Sequence, residues 1–330
     1  MDYIISIDGG GTSTKCVVVS ADGTVLSRSQ AGPSNFRRIG IEATLRNVSQ
    51  AAQAATADAG IGGPVQFGSF CIAGARHPDG RELIEPGVRA LRLADHFYLS
   101  HDCAAALAGA HALQSGVVVI AGTGAVAYGL DEEGKEAFVD GGGPLLGDEG
   151  SAYWIGLRVL RAVMRAQDGR GEPTSLTQQV LTHYGLEDEL ALIPHLPLDR
   201  TNSGAIAQLA PLCGIAAQGG DAAAQGILHC AAHRLARSAG AAVRTLDLGA
   251  APRVAATGGV MADKLLAQAF EEAMRTDLPN ALLAPPRLPA VLGAALIGLR
   301  ESGAGTGESI AAKLLQTWRE TAAPLQGRPA

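Results

Sequence analysis

The chain has 330 residues, of which 47% are hydrophobic and 18% charged, with 26 Lys and Arg against 32 Asp and Glu for a net charge of −6. At roughly 150 residues per domain, this length and composition suit two domains with sizeable cores. A mildly acidic balance without a basic block argues against nucleic acid as the main partner. The five cysteines, Cys16, Cys71, Cys103, Cys213 and Cys230, stand far apart with no Cys-x-x-Cys pair, which disfavours a disulfide scaffold or a Cys-ligated zinc site. The opening Met1-Asp2-Tyr3 lacks the basic segment of a secretory signal. No apolar run approaches the length of about 18 residues that spans a bilayer. The expectation is a soluble, cytoplasmic protein with no membrane partner.

Tyr3 to Ile7 reads as a short apolar strand running into Asp8-Gly9-Gly10-Gly11-Thr12. Thr14 to Ser20, rich in β-branched residues, is a second strand, and Thr24 to Ser29 follows the turn Ala21-Asp22-Gly23 as a third. Residues 42–59 have apolar residues at helical spacing. Gln66 to Ala73 is a strand, Leu91 to Leu99 leads into another, and Asp102 opens a small-residue helix over Cys103 to Leu113. The opening pattern then recurs. Val117 to Ile120 is a strand, Ala121-Gly122-Thr123-Gly124 a glycine corner, Ala125 to Leu130 a strand, 131–134 an acidic-glycine turn, and Glu136 to Asp140 a strand. Helices are expected at 151–166, 174–184, 203–218, 221–247, 262–275, 291–299 and 308–322, with a strand from Arg253 to Ala256 that ends in Thr257-Gly258-Gly259. Residues 303–307 read as a flexible link. A strand, glycine corner, strand, turn, strand motif that appears twice is what a duplicated α/β domain looks like.

Several constellations could carry chemistry. The run Asp8 to Thr12 with Lys15 can fold its amides around an anion. Asp8 would repel a phosphate unless Mg²⁺ and its waters lay between them. The same run is also explained as a hairpin corner, and it lacks the Gly-Lys-Ser/Thr order of a Walker A loop. Gly122-Thr123-Gly124 is equally a tight turn in isolation, but two such corners at equivalent places could clamp a polyphosphate. Asp102 suits a helix N-cap and, compatibly, a carboxylate that takes a proton from a hydroxyl. The stretch 141–151, with Asp148 and Glu149, suits either a helix N-terminus or close approach of a hydroxylated ligand. Gly258 and Gly259 suit a nucleoside packed on backbone or a plain strand–helix turn. His229 and His233, spaced i, i+4 without a third ligand or an accompanying acid, read as a surface pair.

As a whole the pattern resembles the actin/Hsp70/sugar-kinase superfamily, with its five usual elements in order. Phosphate-1 is Asp8 to Lys15, the first connecting helix 102–113, phosphate-2 Ala121 to Ala125, the adenosine element Ala255 to Val260, and the second connecting helix 290–299. The stretch Leu146-Gly147-Asp148-Glu149-Gly150-Ser151-Ala152-Tyr153-Trp154-Ile155-Gly156 is similar to the signature of the N-acetylglucosamine kinase and BadF-BadG ATPase family. The resemblance implies duplicated RNase-H-like domains with ATP and Mg²⁺ in a cleft. The first domain would be 1–112 plus 308–330, and the second 113–307 with a helical insertion.

It also implies roles. Asp8, Gly10, Gly11, Thr12, Lys15, Gly122, Thr123, Gly124, Gly258 and Gly259 would hold ATP, with Asp8 on Mg²⁺ through water. Asp102 would be the base on the sugar hydroxyl, and Asn35, Gly142, Gly143 and Asp148 would bind the sugar. Two departures fall in the sugar pocket. Gly141-Gly142-Gly143-Pro144 stands where family amino-sugar kinases often carry Gly-Gly-Trp-Gly-His, and Ala125-Val126 follows the second corner in place of Ser-Asn.

The function expected from this resemblance is phosphorylation of an amino sugar, N-acetylglucosamine or glucosamine, at its 6-hydroxyl; a homodimer is left open. The alternative is an ATPase that drives electron transfer into a dehydratase through a [4Fe–4S] cluster. That would require cysteines placed to bridge a dimer, and nothing in the sequence pairs Cys103 or Cys213. A non-catalytic nucleotide sensor would not need Asp8, Asp102 and both glycine corners together.

Overall fold

A computed structural model describes residues 3–196 and 203–321. In chain order the first stretch contains β1 (Tyr3–Gly9), β2 (Thr14–Ser20), β3 (Val25–Ala31), α1 (Ile41–Asp58), β4 (Val65–Ile72), α2 (Pro78–Ala90), β5 (Ala94–Ser100) and α3 (Asp102–His111). Then come β6 (Gly116–Ala121), β7 (Ala125–Leu130), β8 (Glu136–Asp140), α4 (Ala152–Gln167), α5 (Leu176–Tyr184), α6 (Ala210–Gln218), α7 (Ala222–Leu246), β9 (Arg253–Thr257), α8 (Lys264–Asp277) and β10 (Leu282–Leu283). The chain ends in α9 (Ala290–Glu301) and α10 (Glu308–Glu320). Among the described residues, no helix is long and apolar enough to cross a membrane.

Two compact units form, one from Met1–Gln114 with Pro286–Ala330 and the other from Ser115–Pro285. Their sheets repeat one topology. The first runs β3-β2-β1-β4-β5, and the second, read from its meander, runs β8-β7-β6-β9-β10. In each, an antiparallel three-stranded meander is extended by two parallel strands beside its first member. The α/β unit is thus duplicated, as the repeated motif predicts, in the RNase-H-like arrangement that the resemblance implies.

The boundary expected at residue 307 lies instead at Pro286, so the second connecting helix belongs to the first unit. The reason is burial. Period-2 alternation sends Ile5 and Ile7 of β1 to one side of the sheet, against Val48, Ala51 and Ala55 of α1 and Ile84 and Val88 of α2. Ile4 of β1 and Val17 and Val19 of β2 face the other side, where Leu292, Leu296 and Leu299 of α9 and Leu314 of α10 cover them. Helices α3 and α9 meet at backbone contact. A Cβ on Gly293 would lie 2.0 Å from the Ala105 carbonyl oxygen, and one on Gly109 would lie 2.8 Å from that of Leu288. In the second unit, Val117, Val119, Ala127 and Val254 of the sheet bury against Ile155 and Val159 of α4, Leu235 of α7 and Phe270 of α8.

Other differences are local. The helix expected over 203–218 is two, Ser203–Ala207 and α6, because Pro211 in the first turn of α6 has no N–H to continue an earlier helix. His229 and His233 are exposed on α7 with ring centroids 4.4 Å apart, a surface pair as expected.

Candidate active site

In the first unit, the parallel register aligns Asp8 with Cys71 and Cys71 with Ser100 across the C-terminal ends of β1, β4 and β5. Asp102 follows β5 by two residues. Ligands of open α/β sheets characteristically bind at such strand ends. The carboxyls of Asp8 and Asp102 are crowded by protein although both residues keep part of their surface accessible. Burial, then the Asp102 charge, raises Asp8 to about 7, with Lys15 opposing. Burial also raises Asp102, against hydrogen bonds from Cys103 that lower it.

The first corner is a hairpin in which Gly10 N–H donates to the Ser13 carbonyl at 3.0 Å. Thr12 and Lys15 are exposed on it. The crowded glycine here is Gly9, whose Cβ would fall 2.3 Å from Ser34 Oγ and displace that hydroxyl. Gly10 and Gly11 have room for a side chain and negative φ, so in this conformation they leave the backbone bare without being sterically required. The Ser34 N–H donates to the Gly10 carbonyl at 2.9 Å, and this carries Asn35 to the corner. Asn35 Oδ1 accepts from the Arg37 N–H at 3.2 Å, capping the turn Phe36–Ile39. Sequence reasoning passed over Ser34 and also Arg38, whose Nη1 reaches the Gly11 carbonyl.

The N-cap of α3 is His101 and not Asp102. His101 Nδ1 accepts from the Ala104 N–H at 3.1 Å. Asp102 sits one residue into the helix, its Oδ1 accepting from the Cys103 N–H at 3.1 Å. Histidine is an uncommon cap, so nothing in its residue type announced the role. His101, Asp102 and Cys103 place ligand-type atoms within 4.8 Å of one another. The His101 Nδ1 is already engaged, and burial beside Asp102 holds the Cys103 thiol protonated.

In the second unit, the corner Gly122–Gly124 rests on the start of α4. The Ala152 and Tyr153 N–H groups donate to the carbonyls of Gly122 and Thr123 at 2.9 and 3.3 Å. Ser151 caps α4, its Oγ accepting from the Trp154 N–H, so neither Asp148 nor Glu149 is the cap. Asp148 turns to the corner instead, its Oδ1 accepting from the Ala125 N–H at 3.1 Å. Gly124 leaves room for this carboxylate, since a Cβ would stand 2.8 Å from that oxygen and push it away. Gly258, at φ +105°, passes 2.2 Å (as a Cβ) from the Ala121 carbonyl, so the end of β9 lies against the same corner. Gly259 opens a short turn with nothing crowding it. Gly142 and Gly143 lie in the loop before α4, and Gly143 has φ +80°.

The family model of BadF/BadG/BcrA/BcrD ATPases matches residues 5–298. The chain belongs to the BadF/BadG/BcrA/BcrD ATPase family. It is 30% identical over 309 residues to the N-acetylmuramic acid/N-acetylglucosamine kinase of Clostridium acetobutylicum, covering 91% of this chain and 99% of that one. It is 32% identical over 317 residues to the N-acetyl-D-glucosamine kinase of Dictyostelium discoideum, covering 90% and 98%. Its structure is similar to that of a Chromobacterium violaceum protein assigned as an N-acetylglucosamine kinase, with TM-score 0.76 and 28% identity over 91% of this chain and 99% of that one. A Streptomyces griseus ROK glucokinase, at TM-score 0.59 and 15% identity over 90% and 99%, shares the fold. This BadF/BadG-family chain thus has the actin-like ATPase fold that the resemblance implies.

Proposed function

We propose that the protein is an ATP-dependent amino-sugar kinase that phosphorylates N-acetylglucosamine or glucosamine at the 6-hydroxyl. The observation that carries this is the near full-length likeness to two relatives named as amino-sugar kinases, joined to a carboxylate at the Asp102 position. Asp102 accepts the proton of the sugar hydroxyl as its oxygen forms the bond to the γ-phosphorus and the bond to the ADP oxygen breaks. Burial raises the Asp102 carboxyl above its ordinary 3.8, which makes its carboxylate a stronger proton acceptor than an ordinary one. Asn35, Gly142, Gly143 and Asp148 hold the sugar. Thr12 and Lys15 with Gly10 and Gly11, and Thr123 with Gly122 and Gly124, line the phosphates. Gly258 and Gly259 lie along the adenosine.

Mg²⁺ suits the donor set, because the Asp8 carboxyl lies close enough to Asp102 for that charge to raise it, a repulsion a cation relieves. Asp8 would hold the ion through water, and the bound ion would neutralise phosphate charge. The electron-transfer alternative is less supported, as the named relatives are kinases. The test is ADP release with Mg·ATP against glucosamine, N-acetylglucosamine, N-acetylmuramic acid, N-acetylmannosamine and glucose. We expect one of the first two to exceed glucose by at least about tenfold, the scale set by one buried hydrogen-bonding group met or left unmet. ADP release unaffected by every sugar would overturn the reading.

Asp8 also gives the ligand-free protein a distinctive pH response. Its folded-state pKa, about 7, lies above the ordinary 3.8, so the folded chain holds this proton more tightly than the unfolded one. The stability it confers is full below pH 3.8 and is lost as pH rises through 7. Between pH 5 and 8 the melting temperature of the wild type should fall by several degrees relative to Asp8→Asn, measured by scanning calorimetry without nucleotide. Parallel pH profiles for the two proteins would show that Asp8 carries no such shift.

A further inference from the structure

We infer that Asp140 is a positioning residue of the candidate site, a staple that sets Asp148 and, through it, the second glycine corner. This rests on the kinase reading for its functional consequence but not for its structural one. Asp140 ends β8, directly across the ladder from Val126 of β7, one residue beyond the corner's Ala125. Its carboxylate accepts three backbone N–H groups from the loop that follows. Oδ1 takes Gly141 at 2.8 Å and Asp148 at 2.6 Å, and Oδ2 takes Glu149 at 2.9 Å. Hydrogen bonds to an ionised acceptor are the strong kind, and these three close the loop onto its own starting strand.

Two backbone features exist to permit this. Asp140 adopts φ +65°, a left-handed conformation that a non-glycine residue enters at a free-energy cost. Gly147 must lack a side chain, since a Cβ there would lie 2.0 Å from Asp140 Oδ1. The staple fixes the amides on both sides of the Asp148 Cα–C unit, and Asp148 is itself held at φ +57°. Its carboxylate is thereby aimed at the Ala125 N–H. The chain of dependence runs from Asp140 to the Asp148 backbone, from the Asp148 carboxylate to Ala125, and so to Gly122–Gly124.

The test compares Asp140→Gly, which suits the backbone conformation and removes all three acceptors, with Asp140→Asn. The amide can keep both Oδ1 bonds but presents its NH₂ to the Glu149 N–H. In ligand-free protein, hydrogen exchange should quicken about tenfold or more at the Asp148, Glu149 and Ala125 amides in the glycine variant. In the asparagine variant it should quicken chiefly at Glu149. The melting temperature should move by only a few degrees. In turnover, sugar KM should rise about tenfold while kcat stays within a few-fold. Asp140→Gly should add nothing further in an Asp148→Ala background. Unchanged Ala125 exchange in the glycine variant, or full additivity with Asp148→Ala, would overturn the relay. If the wild type phosphorylates no amino sugar, the kinase reading fails, and the exchange data still decide the staple.

Discussion

Asp102→Asn should reduce kcat by about 10²–10⁴-fold, the range typical for loss of a general base. Folding should scarcely change, because α3 is capped by His101 Nδ1 and the asparagine oxygen can still accept from the Cys103 N–H. ATP binding should persist, measured by titration calorimetry with Mg·ATP, while steady-state ADP release with the best sugar collapses. The pH dependence supplies a second signature. Burial raises the Asp102 carboxyl above its ordinary 3.8, so the acid side of the wild-type kcat/KM profile should fall off above the usual carboxylate range. The residual activity of the variant should lack that limb. Turnover within a few-fold of wild type would assign Asp102 to helix structure alone and make Asp148 the next candidate for the base.

Gly293→Ala should destabilise the protein by about 3 kcal/mol or more, a large effect for a single methyl group. Its Cβ would fall 2.0 Å from the Ala105 carbonyl oxygen, 2.4 Å from the Gly109 nitrogen and 2.9 Å from the Gly109 Cα. All three are backbone atoms of α3, which cannot move aside as a flexible side chain can. Helix α9 is pinned on its other side too, where Gly298 lies against Ile4 and Ser69 of the sheet. Urea unfolding should show the loss, and turnover should fall as well, since Asp102 opens the displaced helix. Gly62→Ala serves as the comparison, an exposed glycine outside the left-handed region with no crowding atoms, whose change should be far smaller. Equal midpoints for Gly293→Ala and wild type would mean that α3 and α9 do not cross at backbone contact.

Much of this fold was legible because its signals are local. The β-branched runs at 14–20 and 117–120 alternate or stay apolar as buried strands must, and a glycine corner follows the first strand of each unit. What escaped notice depends on contacts between distant residues. Helix α2 is not among the expected elements, and it contains Gly80, Pro86 and Gly87, residue types that disfavour a helix interior; yet Gly80 is needed where a Cβ would meet the Gly74 carbonyl at 2.2 Å, and Gly87 lies where Leu45 packs. Helix α9 is apolar nearly all round, so its sequence does not say which sheet it covers, and the unit boundary was misplaced for that reason. At the site, Asp8, Asp102 and the Gly-Thr corners stand out by residue type. Asp140, His101 and Ser34 do not, because their roles lie in which backbone groups they meet. An Asp that ends a strand just before a glycine run was the one available hint of the staple.

The return of α9 and α10 to the first sheet has a consequence for synthesis. Ile4, Val17 and Val19 emerge from the ribosome well before the residues that cover them, Leu292 to Leu314. The second unit, continuous from Ser115 to Pro285, has every partner it needs before then. The later half of the chain can therefore mature first, while the sheet bearing Asp8 waits with one apolar face uncovered, a stage at which nascent protein is open to misassembly and to chaperones.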